Sequence, residues 1–340
     1  MKTAIVILNW NGRDMMRKYL PSVVECSDMD NVEVIVADNG SDDNSVNMLK
    51  QEFPSVKIIQ FEQNYGFAAG YNKALRFIDA DLYVLLNSDV EIKRKQWIKP
   101  IIDFMKDNPD VAAAQPKIKA INNPDCFEYA GAAGGFIDKF GYPFCRGRIM
   151  ATVEKDNGQY DDIVDVMWAT GAALVVRKED YWSVGGLDEQ FFAHMEEIDL
   201  CWRIRNKGRR IVCVPQTEVY HLGGASLNQG NPRKTYLNFR NNLIMLYKNL
   251  DDNSIKHVLK VRFWLDYIAA SSFLLKGDIQ NFKAVRKARK DFKKLIPSLQ
   301  QIRKNIQQGR EGLKNNVIGC FSILWQYYAK RHKTFNQLPV

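Results

Sequence analysis

Four short apolar runs in the first ninety residues constrain the fold more than any other feature of the sequence. The runs begin at Ala4, Val32, Val56 and Leu82, and the segments between them are long enough to form helices. Unbroken apolar runs of this length predict buried strands, and strands that alternate with helices are typical of βαβ units. The sequence therefore predicts an α/β fold with a mainly parallel sheet.

The same pattern predicts the boundaries of the individual elements. Strands are expected over Ala4–Leu8, Val32–Ala37, Val56–Phe61 and Leu82–Leu86, and helices over Asp14–Val24, Ser45–Glu52 and Phe67–Ile78. After about residue 90 the pattern is less regular, and it predicts strands over Val111–Gln115, Ile211–Val214 and Val219–His221 and a helix over Glu196–Lys207. Val166–Val176 is a strand-like stretch that breaks at Thr170-Gly171. Gly131–Gly147 is expected to form a loop or hairpin, and the chain after Asn238 is expected to be mostly helical.

Chain length and composition indicate the class of protein. A chain of 340 residues suits one large or two medium domains, and we expect a catalytic part over 1–250 and a helical segment over 251–340. The apolar stretch near Met1 is too short for a signal peptide, and the six cysteines are scattered without a paired metal spacing. These features predict reduced thiols in a cytoplasmic protein. The chain has no apolar run of the roughly 18 residues that a membrane-spanning helix needs.

The net charge of +9 is unevenly distributed along the chain. Between Lys256 and Lys333, 18 Lys and Arg residues face four acids, so the rest of the chain carries about −5. Apolar and aromatic runs lie in the same segment, at Phe263–Ala270 and Val317–Ala329. Basic amphipathic helices with Trp and Tyr favour a peripheral contact with an anionic membrane, at the inner face of the plasma membrane. Packing on the catalytic part or in a homodimer is the alternative, and nucleic acid is not expected because no recognition motif accompanies the charge.

Polar side chains follow two of the predicted strands directly. The triplet Asn87-Ser88-Asp89 ends the fourth apolar run, and Asp38 ends the second. Ligands of open α/β sheets bind just outside the carboxyl ends of the strands. An Asp at such a position can hold a divalent cation or accept a hydrogen bond from a base or ribose. A helix cap for Asp38 and an Asx turn for the triplet are the alternatives.

Glycine and alanine are concentrated just before the third predicted helix. Gly66 and Gly70 there allow a close approach of the backbone to a diphosphate-linked group. The segment lacks the spacing of a P-loop, and the chain contains no G-x-G-x-x-G fingerprint. By itself the segment therefore does not identify a nucleotide site.

Three carboxylates lie close together at the start of the predicted helix Glu196–Lys207. Glu196 and Asp199 share one helix face, whereas Glu197 points elsewhere. One of the three could act as a general base while the others pair with nearby arginines, although an acidic helix start favoured by the macrodipole is the alternative. His221 follows a predicted strand and enters a glycine-rich loop, where it is a candidate metal ligand or a structural residue.

Taken together, these motifs resemble the inverting nucleotide-sugar glycosyltransferases of family 2. The family's order is matched from Ile5-Val6-Ile7-Leu8-Asn9 through Asp38-Asn39-Gly40-Ser41, Asn64-x-Gly66-Phe67-Ala68, Asn87-Ser88-Asp89, Thr170-Gly171-Ala172 and Glu196-Glu197-x-Asp199 to His221. The resemblance covers roughly residues 3 to 248 and is greatest to the branch with bacterial rhamnosyltransferases of surface polysaccharide synthesis. It implies the GT-A fold, a Rossmann-like sheet flanked by helices and followed here by a helical extension.

The resemblance also implies roles for individual residues. It makes Glu197 the catalytic base, Glu196 and Asp199 support for the acceptor site, and Asp89 with His221 the ligands of Mn²⁺ or Mg²⁺. Asp38 would contact the nucleotide base and Asn87 the ribose region. The full set of implied donor-binding residues is Asn9, Asp38, Asn64, Gly66, Asn72, Asn87, Ser88, Asp89, Arg240 and Asn241.

The implied reaction is inverting transfer of a sugar from a nucleotide-diphosphate donor, dTDP-rhamnose or a UDP-sugar, to a glycan or polyprenyl-linked glycan. Two departures from the family pattern leave alternatives open. Asn87 replaces the first Asp of the metal triplet, and Glu197 stands where Asp is more usual, so Glu196 or Asp199 could instead be the base. A nucleotide-sugar-forming nucleotidyltransferase and an inactive sugar-nucleotide-binding protein are the competing interpretations.

Overall fold

The computed structural model describes residues 1–223, 230–313 and 317–339. Strands and helices alternate through the first part of the chain, as the apolar runs predicted. The elements are β1 Thr3–Asn9, α1 Arg13–Cys26, β2 Val32–Asp38, α2 Ser45–Glu52, β3 Lys57–Gln60, α3 Phe67–Leu75, β4 Leu82–Leu86, β5 Val90–Glu91 and α4 Lys99–Asp107.

Short strands dominate the middle of the chain, and long helices follow. The strands are β6 Val111–Ala120, β7 Asn123–Phe127, β8 Gly135–Asp138, β9 Pro143–Cys145, β10 Arg148–Ile149, β11 Thr152–Val153, β12 Val164–Asp165, β13 Ala173–Arg177, β14 Arg210–His221 and β15 Ile318–Gly319. The helices are α5 Lys178–Ser183, α6 Glu196–Asn206, α7 Pro232–Asn249, α8 Asp252–Leu275 and α9 Ile279–Gln308, with a π-helical turn at Trp325–Ala329 and a 3₁₀ turn at Phe335–Gln337.

The central sheet has the strand order β12-β14-β6-β13-β4-β1-β2-β3, with β5 paired to β14 and β7 paired to β6. The four strands β4, β1, β2 and β3 are mutually parallel, and so are β6 and β14. β13 runs antiparallel to both β4 and β6 and joins the two parallel parts. The predicted α/β class is confirmed, and the first four strands have the predicted direction.

The central strands β1 and β4 are buried on both faces, which explains their unbroken apolar runs Ala4–Leu8 and Leu82–Leu86. In β1, Ala4 and Val6 face one core and Ile5 and Ile7 face the other, because successive side chains of a strand point to opposite faces. The second core is closed by helices α1 and α4, whose buried residues include Leu20. Fully covered sheets of this kind require the unbroken apolar runs seen in the sequence.

One sequence prediction for the strands is wrong, and another holds in part. Ile211–Val214 and Val219–His221 form one strand, β14, which passes Pro215 with a register shift against β6. Proline lacks the N–H for a ladder bond, so it interrupts the pairing without ending the strand. The stretch over Val166–Val176 is broken at Thr170-Gly171 as expected, and β13 starts after the break, at Ala173. The residues before the break cross between sheets: Val166 N–H donates to Ile211 and Met167 N–H to Gly135.

A second sheet, of order β11-β10-β9-β8-β15, contains the hairpin expected in Gly131–Gly147. Its last strand, Ile318–Gly319, comes from the start of the apolar run Val317–Ala329, so this expected amphipathic helix is formed only toward the end of the run, in the π-helical turn Trp325–Ala329. Phe321 and Ile323 of this run are buried in the main core, while Trp325 stays exposed. The run was misjudged because its burial depends on a distant strand, β8.

The predicted boundary at residue 250 falls between α7 and α8, and the two-domain division stays a prediction. Helices α8 and α9 complete the same core as the sheet, through Ile255 and Val258 of α8 and Phe292 and Leu299 of α9. Within the described residues, we find no helix with the length and apolarity needed to span a membrane.

Candidate functional site

Several predicted site residues meet at one edge of the sheet because the strands that carry them are parallel neighbours. The pairing of β1 with β2 sets Asn9 directly beside Asp38. Strand β4 pairs with the other side of β1, so Asn87, the residue after β4, reaches the same edge. The carboxyl ends of these strands therefore form one polar surface, as expected for a ligand site in an α/β sheet.

Asp38 is fully buried and both of its carboxylate oxygens are held. Asn9 donates to one oxygen at 2.9 Å, and the backbone N–H of Ser41 donates to the other at 3.0 Å. The Asn9 amide also reaches the Ser41 hydroxyl at 3.2 Å, while its own carbonyl oxygen is buried without a partner. The arrangement fixes Asp38 and leaves a buried acceptor on Asn9 beside it.

Asn39 joins the loop after β2 to the glycine-rich segment before α3. Its amide nitrogen donates to Asn64 Oδ1 at 2.9 Å and to the Gly66 carbonyl at 3.1 Å, and its Oδ1 accepts from Tyr65 N at 3.1 Å. Gly66 has a φ of 81°, a left-handed conformation that glycine adopts at little cost. Asn39 was part of the family motif but not among the predicted site residues, although its position directly after Asp38 could have identified it.

Asn72 lies on α3 but is not part of this group. Its amide nitrogen donates to the Leu187 carbonyl at 2.8 Å, and its Oδ1 accepts from the Tyr181 hydroxyl at 2.6 Å. These bonds hold the loop after α5 against α3. The predicted donor-binding role of Asn72 therefore has no contact in the structure that supports it.

A second cluster forms around His221, which the pairing of β14 with β5 places beside the triplet. His221 Nε2 lies 3.1 Å from Asp89 Oδ1 and 3.2 Å from Asn87 Nδ2. On the other side of the ring, His221 Nδ1 lies 3.6 Å from Glu128 Oε2. Ser88, the middle residue of the triplet, is partly exposed.

The charges of this cluster compensate one another. Burial opposes a charged imidazole, but the hydrogen bonds to Asp89 and Glu128 outweigh it and raise the pKa of His221 to about 10. Burial likewise opposes ionisation of Asp89, yet the contact with His221 lowers the pKa of that carboxyl. Glu128 follows β7 in a region whose fold the sequence did not predict, and no motif marked it in advance.

The donor set of this cluster fits a divalent cation. Asp89 would supply a carboxylate oxygen. His221 would supply Nε2 once the cation displaced the proton that the raised pKa keeps on the ring, and a histidine that binds metal through one ring nitrogen normally presents the other to a carboxylate, as His221 presents Nδ1 to Glu128. Within residues 1–223, 230–313 and 317–339 no cluster of three His, Cys, Asp or Glu could hold a metal ion. The further ligands would therefore be diphosphate oxygens and water.

The turn before α6 places the carboxylate pair. His194 and Met195 both have left-handed backbones, with φ of 70° and 76°, which is strained for residues with side chains. The buried Asn241 of α7 stabilises this turn, because its amide donates to the carbonyls of Ala193 and His194, both at 2.8 Å. Asn241, predicted to bind the donor, thus orients the start of α6 in the structure.

Glu197 faces the loop that also contacts the triplet. A Cβ added at Gly171 would lie 3.7 Å from the Cβ of Glu197, and the backbone N–H of Asn87 donates to the carbonyl of Ala172 at 3.1 Å. Glu197 and Asn87 therefore lie on either side of the Thr170-Gly171-Ala172 loop. The predicted base is thereby linked to the polar surface at the carboxyl ends of the strands.

Glu196 and Glu197 lack partners for one oxygen each. The Oε2 atoms of both are buried with no hydrogen bond. Burial raises the pKa of both carboxyls, and the charge of Glu197 raises the pKa of Glu196 further. A carboxylate with a raised pKa is suited to accept a proton near neutral pH.

Asp199, one turn further along α6, has the opposite surroundings. Its Oδ2 lies 2.8 Å from Lys248 Nζ and 2.8 Å from Arg203 Nε, and its Oδ1 accepts from Asn249 at 2.8 Å. Although burial opposes ionisation, Lys248 and Arg203 lower the pKa of the Asp199 carboxyl. With both oxygens occupied, Asp199 fastens α6 to α7, and its support of the acceptor site stays a prediction.

The first turns of α7 bring positive charge to the site. Burial lowers the pKa of Lys234, and the Glu128 carboxylate opposes that effect. Burial lowers the pKa of His194 to about 4, with Lys234 contributing, so the imidazole is neutral. Arg240 donates to Asn241 Oδ1 at 2.9 Å and to the Gln190 carbonyl at 3.2 Å. Residues 224–226 of the glycine-rich loop after His221 lie outside the described residues.

Comparison with known proteins identifies a matching family and several bacterial relatives. Residues 4–144 match the family described as glycosyl transferase family 2. The chain is 28% identical over 239 residues to N-acetylglucosaminyl-diphospho-decaprenol L-rhamnosyltransferase of Mycobacterium tuberculosis, a match that covers 64% of this chain and 75% of that protein. It is 24% identical over 227 residues to rhamnosyltransferase WbbL of Escherichia coli K12, covering 64% of this chain and 82% of the relative.

A solved structure confirms the fold. The crystal structure of GalNAc-T7 with UDP, GalNAc and Mn²⁺ aligns with a TM-score of 0.63 and 16% sequence identity. The alignment covers 98% of this chain and 58% of the longer GalNAc-T7 chain. At this identity the likeness establishes the architecture, a GT-A sheet with flanking helices.

Proposed function

Because residues 4–144 match glycosyltransferase family 2, we propose that the chain is a glycosyltransferase that transfers a sugar, with inversion, from a nucleoside-diphosphate donor to a hydroxyl of a glycan or lipid-linked glycan in surface polysaccharide synthesis. The observation that carries this proposal is the convergence of Asp38, Asp89, His221 and Glu197 on one sheet edge. The names of the two bacterial relatives favour a rhamnosyl donor such as dTDP-rhamnose. A UDP-sugar is the alternative donor.

The donor would lie along the carboxyl ends of β1, β2 and β4. Asp38, held rigid by Asn9 and Ser41, would accept a hydrogen bond from the base, and Asn87 would contact the ribose region. Asn64 and Gly66, joined to the same loop by Asn39, would border the diphosphate.

Asp89 and His221 would hold a divalent cation, Mn²⁺ or Mg²⁺, and that ion would neutralise charge on the leaving diphosphate. The chain itself adds positive charge at the same place. Lys234 lies close enough to His194 to lower the pKa of the imidazole. It also lies close enough to Glu128 for that carboxylate to raise the pKa of Lys234. Arg240, which donates a hydrogen bond to Asn241 on the same helix, would add to this positive charge.

Glu197 would act as the general base. Its carboxylate takes the proton from the acceptor hydroxyl while that oxygen forms a bond to the anomeric carbon, and the bond from this carbon to the diphosphate oxygen breaks with its electron pair on the diphosphate. One displacement from the opposite face inverts the anomeric centre. Glu196 would support the acceptor beside Glu197, where each residue has a buried unpartnered oxygen.

We place the reaction in the cytoplasm, at the inner face of the plasma membrane. The name of the mycobacterial relative includes a diphospho-decaprenol, which is a lipid-linked glycan acceptor of the kind proposed here. A polyprenyl-linked acceptor would be presented at a membrane surface, and the polar sheet edge would have to face that surface.

A thermal-shift panel tests the proposal directly. The full chain is melted with dTDP, UDP, GDP or CDP, each with Mn²⁺, Mg²⁺ or EDTA. A ligand that binds only the folded state adds about 2.7 kcal/mol at a hundredfold excess over its dissociation constant. We expect one diphosphate to raise the melting temperature, more with metal than with EDTA, and Asp38→Asn to abolish the shift. If no nucleotide stabilises the chain, the proposed function is wrong.

A further inference from the structure

The helical hairpin formed by α8 and α9 carries an apolar stripe that no described residue covers. Trp264, Ile268 and Leu275 lie on one face of α8 and are 63%, 65% and 88% exposed. Leu274 and Ile279 extend the stripe to the tip of the hairpin, where they are also exposed. Large apolar side chains that cluster on one exposed face, instead of being scattered singly, mark an interaction surface.

Beside this stripe lies a groove with an aromatic floor and a cationic wall. Phe263 and Tyr267 of α8 form the floor, and Lys283, Arg286, Lys290 and Lys293 of α9 belong to the wall. Trp264 follows Phe263 by one position, about 100° around the helix, and the centroids of the two rings lie 5.3 Å apart. The apolar stripe and the cationic groove are therefore adjacent parts of one surface.

Most of the cationic wall is not neutralised by the protein. In the part of the chain that the structure describes, no carboxylate lies within ion-pair distance of Lys283, Lys290 or Lys293. Other basic side chains of the hairpin are paired: Arg289 with the buried Asp266, and Lys287 with Asp291. The wall lysines thus present unbalanced positive charge to an outside partner.

We propose that the α8–α9 hairpin docks on an anionic lipid surface, with Trp264, Ile268 and Leu275 among the acyl chains at the headgroup boundary and the wall lysines on lipid phosphates. Charge complementarity favours this occupant, because a helix that binds an interface combines a Trp-containing apolar face with Lys and Arg beside it. Each lysine near an anionic surface strengthens binding about fivefold. The surface contains no residue of the donor site, so the inference does not depend on the proposed function.

Vesicle co-sedimentation of the full chain tests the docking surface. Vesicles of phosphatidylcholine alone are compared with vesicles of equal parts phosphatidylcholine and phosphatidylglycerol, each at low and high salt. We expect binding to the anionic vesicles only, weakened by salt. Lys290→Glu with Lys293→Glu should weaken it by about 25-fold or more, and Trp264→Ser with Ile268→Ser by about tenfold.

Matched controls come from exposed residues elsewhere. Lys50→Glu with Lys106→Glu reverses two exposed charges on α2 and α4, and Phe77→Ser removes an aromatic ring that is 70% exposed. We expect these controls to bind vesicles like the wild type. Equal loss in controls and hairpin variants, or equal binding to neutral vesicles, would overturn the proposal.

Two further outcomes would identify a different occupant. Binding of a short DNA duplex that depends on Lys290 and Lys293 but not on Trp264, without vesicle binding, would make the surface a nucleic-acid site. Dissociation of a dimer by Trp264→Ser, again without vesicle binding, would make it the contact with a second copy. The nucleotide thermal shift, measured on the same variants, separates a failure of the docking surface from a failure of the donor site.

Discussion

Two carboxylate clusters meet at the same sheet edge, and their surroundings affect them in opposite ways. Around His221, the carboxylates of Asp89 and Glu128 lie on either side of one imidazole, and the pKa of Asp89 is lowered although the residue is buried. At the start of α6, Glu196 and Glu197 are adjacent carboxylates, each with one buried oxygen that has no hydrogen-bond partner among the described residues, and the pKa of both is raised.

The difference shows that the partner of a buried carboxylate, and not burial alone, determines its chemistry. Burial raises the pKa of every carboxyl, and a nearby cation reverses the effect whereas a second carboxylate adds to it. The His221 cluster is suited to hold charge, and the glutamate pair is suited to take up a proton. Asp199 confirms the rule within one helix, because Lys248 and Arg203 lower the pKa of a fully buried carboxyl close to the glutamates.

The largest effect is expected for Glu197→Gln, which removes the proposed base. Turnover should fall by about 10²–10⁴-fold, the usual contribution of a general base. Donor binding should be unchanged, because Asp38, Asp89 and His221 are untouched. The checks are kcat and the nucleotide thermal shift, measured side by side. Turnover near that of the wild type would exclude Glu197 as the base and point to Glu196.

Asp199→Asn tests whether the paired carboxylate is structural. Neutralising this carboxylate leaves the buried Arg203 without its carboxylate partner and Lys248 with Asp188 alone, so the free energy of unfolding should fall by about 3–5 kcal/mol. Urea unfolding measures the loss, and Asp103→Asn, which breaks the exposed ion pair with Lys99, should cost less than about 1 kcal/mol. Since the folded pKa of Asp199 is lowered, its stabilisation is present above about pH 4 and is lost as the pH falls through the folded pKa. Equal losses in the two variants would contradict this account.

Glu128→Gln tests the proposed metal site without altering its two ligands. If Glu128 orients His221 through Nδ1, the variant should need about 10–100-fold more Mn²⁺ for the half-maximal nucleotide-dependent thermal shift. Glu33→Gln, at an exposed position on β2, is the control and should leave the Mn²⁺ requirement unchanged. A Glu128 variant with an unchanged requirement would show that this carboxylate does not support the metal site.

The smallest effect concerns the pH profile. Glu197 must be ionised to take a proton, so the rate should fall by up to about tenfold per pH unit as the pH drops below its raised pKa. The charge of Glu197 raises the pKa of Glu196, so Glu197 ionises first, while Glu196 is still neutral. Glu196→Gln, which keeps this position neutral, should therefore leave the acid limb of the kcat/KM profile in place. An acid limb that moves to lower pH would contradict this order of ionisation.

Sequence motifs predicted which polar side chains lie at the carboxyl edge of the sheet, because this placement follows from local rules. A residue directly after a buried parallel strand must lie at the carboxyl edge of the sheet, which places Asn9, Asp38 and Asn87 without knowledge of the remaining fold. Asn72 shows the limit of this reasoning. It belongs to the same motif, but it lies within α3, where the helix turns its side chain toward Leu187.

The order of apolar runs and polar strand ends along the sequence was sufficient to predict the α/β class, the resemblance to the family and most of the polar sheet edge. These features were predictable because side-chain burial and strand direction depend on local sequence. Long-range contacts decided the rest. Glu128 reaches His221, Lys248 reaches Asp199, and Asn241 stabilises the turn before Glu196, each from a distant element of the chain. Whether a buried carboxylate holds charge or a proton depends on such neighbours, and only the tertiary structure brings them together.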